Sequence, residues 1–273
     1  MELWFTEQQT PDLRLDLRID RTLVNEKTQY QDLALVETRQ YGRMLVLDGC
    51  VMTTEKDEFV YHEMIAHVPL ATHPAPRKVL VVGGGDGGVI REALRHPTVE
   101  RAVLAEIDGQ VIKRSQEFLP SIAGALTDPR VTLAVGDGIK HVKEHRGEYD
   151  VIVCDSTDPI GPAVGLFSRE FYADVREALT PDGIFVAQSE SPFLHGELIA
   201  RVVKDLAAVF PVARLYWAVI PTYPGAMWTF AIGSKKHDPA ADFRRVELPT
   251  KYYSSDIHRA SFVLPPFVAE RLK

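Results

Sequence analysis

Four acidic residues stand where four apolar runs end: Asp86, Glu106, Asp137 and Asp155. In an open parallel sheet, ligands bind in the crevice beyond the carboxyl ends of the strands, so acids gathered there face whatever is bound. Turn and cap chemistry would account for any one of them. Four at a single edge make that a poor explanation. The first acid lies in the central stretch of the chain. Lys78-Val79-Leu80-Val81-Val82 is an apolar run, Gly83-Gly84-Gly85-Asp86-Gly87-Gly88 is a glycine loop, and Ile90, Ala93 and Leu94 then recur at helical spacing. Strand, glycine loop and helix open a nucleotide-binding βαβ unit. A carboxylate inside that loop repels a pyrophosphate, so Asp86 reads as a group that meets a cation.

The other acids extend this reading. Glu106 follows Gly83 by twenty-three residues, the spacing at which an acid accepts hydrogen bonds from ribose hydroxyls. Asp137-Gly138 closes the third strand, where an adenine amino group could find an acceptor. These two point to an adenosine moiety without phosphate. Asp155 and Asp158, three apart in Asp155-Ser156-Thr157-Asp158-Pro159, could bind an amine and accept its proton. Tyr61 and His62, before the central strand, and Tyr223, in Ile220-Pro221-Thr222-Tyr223-Pro224-Gly225, could wall a slot for an alkyl chain. His62 and His67 are five apart, on different helix faces, and there is no H-E-x-x-H, cysteine cluster, P-loop lysine or nucleophile elbow. The expectation is therefore no metal and no covalent intermediate.

These residues need a scaffold, and 273 residues suffice for one large α/β domain with an appendage. Residues 1–56 read as a small antiparallel β domain. Leu13, Leu15, Leu17 and Ile19 alternate with Arg14, Asp16 and Arg18, further strands are expected at 33–36, 43–47 and 51–54, and Asp48-Gly49 forms a hairpin turn. So thin a unit has little core of its own and is expected to pack against the larger domain or a second subunit, and a homo-oligomer is predicted. Residues 57–273 read as the catalytic domain. Asp57 is expected to cap a helix to Ala71 whose apolar stripe is Val60, Met64, Ile65 and Val68, and strands then alternate with helices around a mostly parallel sheet. Residues 252–273 are expected to be helical with a break at Pro265-Pro266. A composition of 45% hydrophobic and 25% charged residues is that of a globular protein, and a net charge of −7 disfavours nucleic-acid or anionic-membrane partners. Two cysteines, Cys50 and Cys154, form no redox motif, and no leader or spanning segment is evident, so a cytoplasmic location is expected.

The chain resembles the polyamine aminopropyltransferases over nearly its whole length. The resemblance rests on Tyr30-Gln31-Asp32, Leu47-Asp48-Gly49, Asp57 to Met64, Gly83 to Gly88, Glu106-Ile107-Asp108, Gly136-Asp137-Gly138, Asp155 to Pro159, Ile220 to Pro224, Lys251-Tyr252-Tyr253 and Phe262 to Pro265. It implies a Rossmann-like, class I methyltransferase-type sheet flanked by helices, and an N-terminal β domain used in oligomerisation, as a homodimer or homotetramer. It implies transfer of an aminopropyl group from decarboxylated S-adenosylmethionine, a co-substrate rather than a cofactor, to putrescine, giving spermidine and methylthioadenosine. Carried over, Gln31, Glu106, Asp137, Gly138 and Pro162 touch the nucleoside, while Asp86 and His62 meet the amine of the aminopropyl arm. Tyr61, Asp158 and Tyr223 line the diamine slot and Asp155 accepts the proton, with the Asp155–Pro162 loop closing over the site. The family's serine-glycine after Tyr223-Pro224 is replaced here by Gly225-Ala226. Three rival readings remain. A diamine N-methyltransferase would use intact S-adenosylmethionine, whose carboxylate Asp86 repels. A nicotinamide dehydrogenase needs a pyrophosphate site and a second nucleotide-binding half. A non-catalytic polyamine-binding module needs no proton acceptor at Asp155.

Overall fold

The structure, a computed structural model, describes residues 2–157 and 161–273, with Gly161 and Pro162 described by their backbone alone. Strands β1 (Leu3–Thr10), β2 (Leu13–Lys27), β3 (Asp32–Thr38), β4 (Gly42–Leu47) and β5 (Cys50–Thr54) form an antiparallel sheet in chain order. Asp48 and Gly49 both take positive φ, 48° and 81°, the turn geometry whose twist matches that of the flanking strands. Alternate residues of β3 and β4 are apolar on both faces, because both faces are covered. Leu33, Leu35, Leu45 and Leu47 pack against Val111, Leu119 and Ile122 of the larger unit, and Val36, Met44 and Val46 pack with Leu17 and Val51. Register irregularities in β2 at Ile19/Arg21 and Thr22/Val24 bend the strand. Strand β1 also approaches β5, where Val51 N donates to Glu7 Oε2 at 3.0 Å.

Helix α1 (Glu58–Thr72) links the two sheets, and here two expectations are corrected. The helix has no single apolar stripe, since nearly every residue is buried. Asp57 occupies the cap position without capping. Its carboxylate accepts from Thr54 Oγ1 at 2.6 Å and from Thr222 N and Oγ1 at 3.1 and 2.8 Å. Tertiary partners took the oxygens that a helix end would otherwise use.

Beyond α1 run β6 (Lys78–Gly83), α2 (Gly88–Leu94), β7 (Arg101–Glu106), α3 (Gly109–Phe118), α4 (Pro120–Ala123), β8 (Val131–Val135), α5 (Gly138–Glu144) and β9 (Tyr149–Asp155). They are followed by α6 (Arg169–Ala178), β10 (Leu179–Gln188), α7 (Gly196–Val209), β11 (Val212–Val219), β12 (Met227–Ser234), α8 (Ser255–Ser261) and α9 (Pro266–Ala269). The second sheet has the order β11-β12-β10-β9-β6-β7-β8. All pairings are parallel except those of β12, which runs opposite to both neighbours. Val79, Val81, Val151 and Val153 point into one core, and Leu80, Val82, Ile152 and Cys154 into the other. That explains why these strands are unbroken apolar runs. Helix α5 had no expected counterpart, and the helix expected over residues 252–273 is two short helices with a 3-10 turn at Glu270–Leu272. No helix among the described residues is long and apolar enough to cross a membrane.

Candidate active site

The carboxyl ends of β6, β7, β8 and β9 open into one cleft, with the first sheet as its opposite wall. Gly83–Asp86, Glu106, Asp137, Gly138 and Asp155 line it from below, Tyr61 and His62 from α1, Glu7, Gln31, Cys50 and Met52 from the first sheet, and Tyr223, Pro224 and Trp228 from the β11–β12 side. The glycine loop works by proximity. Gly84 has φ +67°, and a Cβ there would come within 2.7 Å of Asp155 Oδ2; at Gly88 a Cβ would fall 2.2 Å from the His62 ring. Only glycine lets this backbone lie against both side chains.

One half of the cleft suits a nucleoside. Glu106 Oε2 accepts from Gly85 N at 3.1 Å and Oε1 from Asp108 N at 2.9 Å. Burial, against the pull of these two donors, pushes the Glu106 carboxyl up to about 7. Gln31 is steered by its amide, which donates to Asp108 Oδ2 at 3.0 Å. Asp137 caps α5, with Oδ1 accepting from Ile139 N at 2.8 Å. The cap and cleft readings of Asp137 therefore coexist.

The other half is rich in carboxylate. Asp86 and Asp155 each present an oxygen there, within 4.8 Å of each other and of a His62 ring nitrogen. Asp86 Oδ1 accepts from Gly88 N at 2.8 Å, and Oδ2 lies 3.3 Å from His62 Nε2. His62 is 2% exposed, and its Nδ1 is 2.5 Å from Glu58 Oε2. Glu58 in turn accepts from Arg91 Nη1 at 3.0 Å and Nη2 at 2.7 Å. Burial alone would strip His62 of its proton, but Asp86 and Glu58 hold it instead and raise the imidazole to about 10. Burial and the charge of Asp86 push Asp155 up to about 6, while His62 and the Tyr61 hydroxyl pull it down. Tyr61 donates to Asp155 Oδ1 at 2.5 Å, and its ring packs 5.7 Å from that of Tyr223. Tyr223 OH donates to Met52 O at 2.6 Å, fastening the β11–β12 loop to the first sheet.

Of the residues singled out in the sequence, Gln31, Tyr61, His62, Asp86, Glu106, Asp137, Gly138, Asp155 and Tyr223 line this cleft together. Asp158 and the Pro162 side chain lie outside the described residues, as does the turn expected to close over the site. Sequence reasoning missed Glu7, Gln188 and Trp228, which also line it. It missed the pairing of His62 with Glu58 as well, although the i, i+4 spacing was visible. His62 is engaged by carboxylates at both ring nitrogens. It is therefore a partner of Asp86 before any amine arrives.

A family model described as "Spermine/spermidine synthase domain" matches residues 58–244, and one described as "Spermidine synthase tetramerisation domain" matches residues 3–55. The chain is similar to the polyamine aminopropyltransferase of Bacillus mycoides, with 60% identity over 275 aligned residues and full coverage of both chains. Similarity to the enzyme of that name in Thermoanaerobacter pseudethanolicus is 58%, covering 99% of this chain and 98% of the relative. Among solved structures it is similar to a spermidine synthase in complex with the transition-state analogue AdoDATO, with TM-score 0.97, 40% identity and coverage of 99% and 94%. Spermidine synthase from Thermotoga maritima gives TM-score 0.95 at 40% identity, again covering 99% and 94%.

Proposed function

This chain belongs to the spermine/spermidine synthase family of polyamine aminopropyltransferases, and from that premise we propose how its own residues carry out the transfer. The donor is decarboxylated S-adenosylmethionine and the acceptor putrescine, giving spermidine and methylthioadenosine. The observation that carries this reading is the pair of carboxylates, Asp86 and Asp155, with oxygens within 4.8 Å of each other in the cleft that Glu106, Asp137 and Gly138 also line. Glu106 takes the ribose hydroxyls, with Gln31, Asp137 and Gly138 around the rest of the nucleoside. Asp86 takes the ammonium of the aminopropyl arm. The diamine lies between Tyr61 and Tyr223, with its reacting nitrogen at Asp155, and Asp158 and Pro162 belong to the same proposal.

The chemistry follows from charge. The acceptor amine is protonated in water, with a pKa of about 10.4, and freeing its lone pair at pH 7 costs roughly 4–5 kcal/mol. Asp155, poised at about 6, is an ionised carboxylate at neutral pH with enough proton affinity to take that proton as attack proceeds. The nitrogen lone pair forms the new C–N bond while the C–S bond breaks, and the sulfonium leaves as a neutral thioether. Holding both cations at the acids makes the displacement effectively unimolecular. The reaction needs no metal or further cofactor. Oligomerisation through the first sheet is supported by its exposed Leu3, Trp4 and Leu13, and a cytoplasmic site of action suits such a biosynthetic step.

The test is direct. Purified protein is incubated with putrescine and either decarboxylated or intact S-adenosylmethionine, and products are identified by mass. Spermidine formed from the decarboxylated donor alone is expected. Methylated putrescine would identify an N-methyltransferase, and binding without product would identify a polyamine-binding module.

A further inference from the structure

Helix α1 carries a buried acid that no substrate in this cleft touches. Glu58 is 7% exposed and is not among the residues lining the cleft, yet it sits one helical turn before His62 and bonds to it. Its other partner is the Arg91 guanidinium of α2, which grips both Glu58 oxygens. Arg91 is steered by Glu92, whose oxygens also meet Arg95 Nη1 and approach His67 Nε2 to 3.1 Å. A neutral imidazole has one N–H and one acceptor nitrogen. His62 has a carboxylate at each nitrogen, Glu58 at Nδ1 and Asp86 at Nε2. With both carboxylates ionised, both contacts are satisfied only when both nitrogens carry hydrogen.

From this geometry we infer that Glu58, held by Arg91, is a positioning residue for the base: it keeps His62 an imidazolium beside Asp86 and Asp155, and so sets the pH above which Asp155 can accept the substrate's proton. The inference rests on the reading of Asp155 as proton acceptor. The groups that act on Asp155 and His62 are Tyr61 and Glu58 from α1, Asp86 from the glycine loop and Glu106 from β7, with Arg91 of α2 reaching them through Glu58 and Tyr223 of the β11–β12 loop through Tyr61. His62 lies within 4.8 Å of both aspartates. A charge at that distance is worth about 0.6 pH units in water and about 2.5 at an effective dielectric of 20. Without it the two carboxylates repel each other unrelieved, and one of them holds a proton to higher pH.

The experiment is the pH profile of kcat for the full chain and for Glu58→Gln. The acid limb should move up by about one to two units from the parent's midpoint. Turnover should then fall about five- to fiftyfold at that midpoint and hardly change about three units above it. In a His62→Gln background, Glu58→Gln should add no further displacement. A limb that stays in place while the rate falls equally at every pH would reduce Glu58 to scaffolding and overturn the inference. A second measurement uses the unaltered protein and needs no variant to fold well. With ¹⁵N-labelled histidine, the His62 resonances, assigned by their loss in His62→Gln, should show both nitrogens protonated at pH 8, and a neutral tautomer overturns the inference equally. Asp155→Asn separates the two ideas. If it keeps parental turnover, the assignment of the base fails. If it is slow while the Glu58→Gln limb is unmoved, the positioning role alone fails.

Discussion

Glu106 should make nucleoside binding depend on pH near neutrality, and the dependence can be worked out from its surroundings. The side chain is 8% exposed at the end of β7, and burial lifts its carboxyl from an ordinary 4.5 to about 7. A displacement of that size corresponds to about 3 kcal/mol between the two protonation states. The ionised form can accept from two ribose hydroxyls while keeping the Gly85 and Asp108 N–H groups. Nucleoside binding should therefore draw the proton off. Methylthioadenosine is the probe of choice, because it carries no ammonium and so leaves Asp86 and Asp155 out of the measurement. Its Kd by calorimetry should be flat above about pH 8 and weaken about tenfold for each unit below 7. Near pH 7 binding should release about half a proton, seen as a dependence on the buffer's ionisation enthalpy. Glu106→Gln should bind about 10- to 100-fold more weakly, the worth of a hydrogen bond to a charged group, and without the pH dependence. Stability carries the opposite sign. Between pH 4.5 and 7 the folded state holds a proton that the unfolded state has lost, so the parent loses up to about 3 kcal/mol as pH rises through that window. Glu106→Gln should accordingly be the more stable protein at pH 8. A Kd unchanged from pH 6 to 8, or a variant less stable at pH 8, would refute the reasoning.

Three further outcomes are expected. Asp155→Asn should lower turnover at pH 7 by about 10²–10⁴-fold, with methylthioadenosine affinity unchanged; quenched product assays check this, and a rate within threefold of the parent contradicts it. Asp86→Asn should narrow the preference for decarboxylated over intact S-adenosylmethionine, since two carboxylates about 4 Å apart repel by roughly 1 kcal/mol in water and roughly 4 at a dielectric of 20. Calorimetry with both donors measures that ratio, and an unchanged ratio places the selectivity elsewhere. Gly225 and Ala226 both adopt left-handed backbone, with φ of 70° and 59°, and a Cβ on Gly225 would lie 2.9 Å from Ser191 Oγ. Gly225→Ala should therefore destabilise by about 1–2 kcal/mol and Ala226→Gly should stabilise by up to about 1 kcal/mol; thermal unfolding with the reverse order would contradict the loop geometry.

Much of this protein is written locally. The apolar runs of β6, β7 and β9 and the glycines between β6 and α2 declare a buried parallel sheet, because burial on both faces removes alternation and a tight turn demands glycine. Once that sheet is granted, its topology alone puts Asp86, Glu106, Asp137 and Asp155 at one edge. The Asp48-Gly49 hairpin is equally local, since its backbone angles are a property of those two residues. What the pattern leaves open is which distant groups meet. Asp57 could have capped α1, but Thr222, 165 residues on, claimed its carboxylate. Glu7 lines the cleft with its carboxylate bound to Val51 N of β5, 44 residues on. His62 reads as a residue that meets an amine, and docking α2 against α1 sets it between two acids. Periodicity encodes faces and turns, which are properties of one segment. Protonation depends on the charges that packing brings within a few ångströms, and those come from segments the local pattern does not relate.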